Sequence, residues 1–266
     1  MTSTEINEIQ NLAGFATDLV QKLGQEAMQF YGKGKSNLKF DNELVTAAEL
    51  HLLGFFQDRL QSRYPEHRIF NHFQNDTAYT HEEKRYLWIF DPVDGVDNFQ
   101  TGIPVWGVSL ALLENFWPIF SVFYMPVTQD LFHARAGQDA FWGAERIRVS
   151  AQKDINDESI LLTFSRFHLQ YHSKFPGKIR NLGCATAHIC YVAMGRADAA
   201  IITHESYQGM AAARTIIESA GGKIFKMDGS GFFLNEYLDG KSIDEHLLVV
   251  APENFSTVLN YLERTN

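Results

Sequence analysis

Cysteine is nearly absent from this chain. There are two in 266 residues, Cys184 and Cys190, six positions apart. That spacing, at the start of an expected helix, fits reduced, buried thiols of a cytoplasmic protein better than a disulfide. Positive charge is also scarce. Lys and Arg number 23 against 32 Asp and Glu, for a net charge of −9. This balance argues against nucleic acid and anionic membrane as partners, and an anionic substrate needs a local cation to bind. No apolar run approaches the roughly 20 residues of a membrane span. The opening MTSTEINEIQ is polar and acidic, so no signal peptide is expected. Repeats and low-complexity tracts are missing too. What remains is an ordinary globular composition, 45% hydrophobic and 21% charged, long enough for one large domain or two packed ones.

The chain is organised around Trp88-Ile89-Phe90-Asp91-Pro92-Val93-Asp94-Gly95-Val96-Asp97-Asn98-Phe99. The apolar run Tyr86 to Phe90 reads as a buried strand. It ends in two carboxylates, with Pro92 fixing one backbone angle between them and Gly95 permitting a sharp turn after. Asp91 and Asp94 are thereby folded towards one point, and converging carboxylates favour a hard divalent cation. A short helix starting after Gly95 would add free N–H groups beside that metal. Metal plus anion cradle is the equipment of phosphate chemistry. The plainer alternative is a strand end with a capped turn; Pro, Gly and Asn at these positions argue against it.

Helical spacing predicts a long helix from Ile6 to Phe30 and a second from Glu43 to Arg63, with Leu44, Ala48, Leu52, Phe55, Phe56 and Leu60 inward. Tyr64-Pro65 stops the second. Strands are predicted at 105–114, 118–124, 130–134 and 140–142, an antiparallel run that points to helix-on-sheet packing. A domain boundary is expected near 145–155, in the polar run Arg148 to Asp157. The second half alternates: strands at 160–164, 179–182, 198–203, 223–225 and 247–251, helices at 186–194, 210–220 and 255–264. That alternation predicts a mostly parallel sheet.

The central string resembles the signature of the inositol monophosphatase family, magnesium-dependent phosphatases of small phosphate monoesters. The resemblance extends over most of the chain. Leu44-Val45-Thr46-Ala47-Ala48-Glu49 resembles the family's LVTxxD segment. Tyr64-Pro65-Glu66-His67 sets the register of its YPxHxFIGEE strand. Arg180-Asn181-Leu182-Gly183-Cys184-Ala185 and Val192-Ala193-Met194-Gly195-Arg196-Ala197-Asp198-Ala199 resemble its RxxGSAA and VAxGxxDA segments, and Ser219-Ala220-Gly221-Gly222 its EAGG. The implied fold is an α/β (α+β) layered αβαβα sandwich of two sub-domains. Residues 1–148 carry the metal and phosphate loop, and 149–266 form the second. A homodimer is implied, with a small phosphorylated molecule as partner.

The resemblance also assigns roles. Asp91, Asp94 and the Val93 carbonyl fall on metal-ligand positions, and Gly95, Val96, Cys184 and Ala185 on phosphate or substrate positions. Several family residues are replaced. A ligand Glu has become His72, with Phe73 beside it, and a ligand Asp has become Gly209, next to Gln208. The water-activating Thr has become Val96, its partner Asp is Glu49, and an acidic substrate contact is Ile202. Four ligand carboxylates have become two. Mg2+ binding is therefore expected to be weakened, and Zn2+ or Mn2+ could use His72 with His204 or Glu205. The reading is a catalytically impaired or inactive homologue, a pseudoenzyme acting as a binding or regulatory module. The alternative is an active metal-dependent phosphatase of an inositol phosphate-like monoester with a rebuilt site.

Overall fold

The computed structural model describes residues 3–35, 38, 40–70, 86–115, 117–152, 154–237 and 242–265. Helix α1 spans Ser3–Ala27 and α2 spans Asn42–Arg63. Leu12, Ala16, Leu19, Val20 and Leu23 recur every three or four residues on α1 and are buried together. Gly24 permits close approach to the sheet, because a Cβ there would lie 2.7 Å from the Tyr124 ring. On α2, Asp41 caps the start by accepting from the Leu44 N–H at 3.2 Å. Its buried stripe is Val45, Ala48, Leu52, Phe56 and Leu60, so the first inward residue is Val45 and not Leu44.

The first sheet contains β1 (Arg68–Ile69), β2 (Tyr86–Asp94), β3 (Gly107–Glu114), β4 (Trp117–Met125), β5 (Asp130–Arg135), β6 (Ala140–Trp142) and β7 (Glu145–Ile147), in that order. β1 runs parallel to β2 and every later pairing is antiparallel. Alternation along the strands sorts the side chains onto two faces. Trp88, Phe90, Leu110, Leu112 and Val122 meet α1 and α2. Leu87, Ile89, Ala111, Leu113 and Phe123 point the other way, into a second apolar layer.

The rest of the chain supplies β8 (Ile160–Leu162), α4 (Phe167–Gln170), β9 (Tyr171–Ser173), β10 (Lys178–Arg180), α5 (Ala185–Ala193), β11 (Ala199–Ile202), α6 (Tyr207–Ser219), β12 (Lys223–Lys226), β13 (Leu247–Val250), α7 (Phe255–Leu259) and β14 (Leu262–Arg264). The short helix α3 (Val96–Thr101) follows β2. The second sheet has the order β10-β8-β11-β13-β12. The expectation of a mostly parallel sheet needs correction. β10, β8 and β11 are parallel, but β13 is antiparallel to both its neighbours. The last expected helix is also too long. It ends at Leu259, and Leu262–Arg264 pairs with β9 as a two-stranded ribbon.

α5 and α6 lie between the sheets, with Ile189, Met210, Ile216 and Ile217 buried in one cluster with residues of both. α4 and α7 cover the outer face of the second sheet, over Leu161, Ile201 and Leu248. Helix pair, sheet, helix pair, sheet and outer helices make the αβαβα sandwich. No described helix is long and apolar enough to cross a membrane.

Candidate functional site

The cleft is assembled where β2, α3, α5 and the end of β11 meet. β2 keeps regular pairing with β3 as far as Asp91, opposite Ser109. A register shift then falls between Asp91 and Asp94, as expected where Pro92 cannot donate to the ladder. Val93 packs inward with the α1–α2 cluster. Gly95 follows in the left-handed region, φ 87°, as the residue before α3. A Cβ on Gly95 would lie 3.0 Å from Cys184 Cβ and from the Val105 carbonyl oxygen. Conformation and space both require glycine there.

Asn98, buried on α3, donates to the carbonyls of Val105 at 2.6 Å and Leu182 at 2.7 Å. It ties the first sheet's loop to the segment entering α5. At the α5 start, the Thr186 N–H donates to Asp94 Oδ2 at 2.7 Å, a favourable place for a carboxylate. Ser206 caps α6, its Oγ accepting from Gly209 N–H at 3.0 Å. This brings Gly209 beside Asp91, so close that a Cβ would lie 3.0 Å from Asp91 Oδ2.

These elements enclose a cleft of about 320 Å³, whose walls include Asp94, Val96, Cys184, Ala185, Ile202 and Glu205. Burial acts most strongly on its acidic groups, and like charge comes second. Burial, then the Asp94 charge, and more weakly that of Glu49, push the Asp91 carboxyl up to about 7, against a lowering hydrogen bond from the Val93 backbone. Burial, then Asp94 and Asp91, raise Glu205 well above the carboxylate range. Burial alone raises Glu49. Burial, then Asp94, holds the Cys184 thiol protonated. No Lys or Arg is among the described residues lining the cleft.

Asp94, Gly95, Val96, Cys184, Ala185 and Ile202 line one cleft, Gly209 stands against Asp91, and Glu49 lies near enough for its charge to act on Asp91. His72 and Phe73 lie outside the described residues. His204 is turned away: it has φ 57° and its Nδ1 pairs with Asp244 Oδ1 at 3.1 Å on the surface. Glu205, the next residue, faces in. His188 and Asn181 also line the cleft and were not anticipated. His188 Nε2 accepts from Leu182 N–H at 3.0 Å, and burial lowers its pKa to about 4. It is a neutral structural imidazole, with no sequence motif to announce it.

The chemistry of the donor set fits a hard divalent cation. Asp94 and Glu205 line the cleft, which has no Lys or Arg in its described lining, and Asp91 stands near enough to feel the Asp94 charge; oxygen donors of this kind suit Mg2+, Mn2+ or Ca2+. As the side chains stand, no three Asp, Glu, His or Cys among the described residues are clustered to clasp an ion.

Five layers with paired acids at a strand end, beside two helix starts, define an αβαβα fold of the small-molecule phosphatase type. The chain belongs to the inositol monophosphatase family, whose family model matches residues 8–256. An inositol-1-monophosphatase of Caulobacter vibrioides is 36% identical over 174 residues, covering 60% of this chain and 66% of that protein. A fructose-1,6-bisphosphatase/inositol-1-monophosphatase of Thermotoga maritima is 27% identical over 81% of this chain and 84% of that one. The Nus factor SuhB of Xylella fastidiosa is 29% identical, covering 74% of this chain and 72% of its own. Among solved structures, inositol monophosphatase II of Staphylococcus aureus superposes with a TM-score of 0.73 at 21% identity, covering 94% of each chain. At that identity the likeness speaks for the fold.

Proposed function

We propose that this protein binds a small phosphorylated molecule through a divalent cation held by Asp91 and Asp94, and that its hydrolytic step is impaired. The observation that carries this reading is Gly209, which stands against Asp91, a Cβ there lying 3.0 Å from Asp91 Oδ2, and offers no carboxylate. Losing one ligand charge about 4 Å from a cation forfeits on the order of 4 kcal/mol at an effective dielectric near 20. Half of that is still more than tenfold in affinity. Without a cation the cleft repels a phosphate dianion. Val96 has no hydroxyl to orient a water or pass on its proton. Relatives of the chain are named both as phosphatases and as a Nus factor, which suits a role in binding or regulation.

A second reading is favoured by one observation. Glu49 is close enough for its charge to act on Asp91, and it is half-buried. As a general base, Glu49 would take the proton of a water as that water's oxygen attacks phosphorus and the ester oxygen departs. Phosphate release from small monoesters, inositol phosphates first, measured with Mg2+, Mn2+ and Zn2+ in turn, separates the two. Turnover that Asp94→Asn abolishes would sink the impaired reading. Binding of inositol phosphate by calorimetry without turnover would uphold it.

A further inference from the structure

We propose that the groove between the β5–β6 turn and the last turns of α6 is a second ligand site, for a small ring compound bearing a carboxylate or a phosphate. It stands apart from the cation-bridged reading above, since no described residue lines both this groove and the cleft.

The groove has a volume of about 830 Å³, against about 320 Å³ for the cleft. That is within the roughly 300–1,000 Å³ of small-molecule sites. It is lined by Arg214 and Glu218 of α6, by Trp117 at the start of β4, by the turn 136–139 and by Arg148 after β7. Both flanks are tied to the helix. Ser219 Oγ donates to the Arg135 carbonyl at 3.2 Å, and the Val149 N–H donates to the Ala220 carbonyl at 3.0 Å. At the turn, Gly137 takes φ 72°, and a Cβ there would meet nothing within 4 Å. The walls are fixed while the opening stays clear, so a ligand need not build the site in order to enter it.

Two arginines line it with donors to spare. Arg214 Nε donates to Glu218 Oε1, one turn on, at 2.8 Å. Its two terminal NH2 groups have no partner among the described residues. Arg148 reaches Asp139 only at 3.4 Å, and Arg146 holds the same Asp139 oxygen more closely. A 3.4 Å contact is beyond the usual length of such a bond, so Arg148 is weakly engaged. Planar guanidinium forks with free N–H groups match the oxygens of a carboxylate or phosphate. The cleft has no Lys or Arg in its described lining, so an oxyanion arriving without a cation finds its donors in the groove. Trp117 sets the rest of the ligand. It is 76% exposed, where tryptophan is mostly buried on average. Among the described residues its ring has no aromatic or cationic neighbour. Pro118 and Phe141 add apolar surface to the same groove. A flat ring laid on the indole gains burial and stacking, while its oxyanion meets the arginines. Ring and oxyanion are both required, because either alone uses half of the groove.

The test is a titration of the full chain in EDTA, which keeps any cation out of the cleft. The readout is the indole N–H resonance of Trp117, one of four tryptophans, identified by its loss in Trp117→Phe. The probes are phenyl phosphate and benzoate, with inorganic phosphate and benzyl alcohol each carrying only half of the chemistry. Phenyl phosphate or benzoate should move the resonance and saturate near 1 mM, an affinity in keeping with about ten non-hydrogen atoms. Whichever binds more tightly names the anion. Inorganic phosphate and benzyl alcohol should bind at least tenfold more weakly. At least one of Arg148→Gln and Arg214→Gln should weaken the tighter probe tenfold or more, with the other three indole resonances in place to show that the variants fold. No shift with either ring anion at about 10 mM, benzyl alcohol binding as tightly as they do, or affinity unchanged in both arginine variants would overturn the site. Binding of inositol phosphate with Mg2+ is measured separately, so failure in EDTA leaves the cation-bridged reading standing.

Discussion

Gly209→Asp puts a carboxylate back beside Asp91 and should cost stability when no cation is present. Its Cβ would stand 3.0 Å from Asp91 Oδ2 and 3.3 Å from Ser206 Oγ, so both neighbours must yield slightly. Two carboxylates about 4 Å apart repel by roughly 4 kcal/mol at an effective dielectric of 20. Asp91 is already pushed up to about 7, so protonating it relieves the repulsion cheaply at neutral pH and costs about 1.4 kcal/mol for each unit above that. Replacing Gly inside a helix returns only about 0.3 kcal/mol. At about pH 9 the net loss of about 2–3 kcal/mol corresponds to a fall in melting temperature of roughly 5–10 °C for a chain of this size. A divalent cation reverses the sign, because the added charge now faces an attractive partner. Thermal denaturation in EDTA and in excess Mg2+ is the assay. The variant should melt well below wild type in EDTA and show the larger rise with Mg2+. Equal melting in EDTA together with an equal Mg2+ response would refute the placement of residue 209 against Asp91.

Three further outcomes are expected. His188 has a pKa lowered to about 4 from 6.5, so the folded state binds fewer protons than the unfolded state between those values. Its contribution is present above pH 6.5 and is lost on acidification towards pH 4, about 3 kcal/mol in all; the melting temperature of His188→Gln should fall less steeply over that range, and parallel curves would count against the assignment. Asn98→Ala strips donors from the Val105 and Leu182 carbonyls and should cost about 2–4 kcal/mol by denaturant unfolding, given about 1–3 kcal/mol for each buried acceptor left unpaired; a loss below 1 kcal/mol would show those carbonyls to be satisfied by water. Val96→Thr, made in the Gly209→Asp background, should raise phosphate release from inositol monophosphate at least tenfold, since a positioned proton acceptor contributes about 10²-fold or more. An unchanged rate there would show that loss of the hydroxyl is not what limits hydrolysis.

Much of the architecture was legible because it rests on local pattern. The three-to-four-residue spacing on α1 and α2 follows from burying one stripe, and Asp91-Pro92-Val93-Asp94-Gly95 carries its turn in its own residue types. Strand direction is another matter. Leu247-Leu248-Val249-Val250 is apolar on both faces and reads the same whichever way it runs, so the antiparallel β13 could not be told from a parallel strand. Glu145-Arg146-Ile147 is a polar edge strand that only its neighbour reveals. Beyond Leu259 the apolar spacing continues as a helix would, but pairing with Tyr171–Ser173, remote in sequence, takes over. At the site, spacing cannot say which of His204 and Glu205 turns inward. That depends on a left-handed φ at a residue other than glycine, which residue types do not announce.

α6 belongs by sequence to the second half of the chain, yet it shares a buried layer with strands of the first sheet as well as with β12. Neither half can keep its oily side dry alone. A fragment ending before Tyr207 would expose the back of the first sheet, and one starting after Ile147 would leave α6 bare on the side that faces that sheet. The molecule should therefore melt in one cooperative step, and its gene should resist being split.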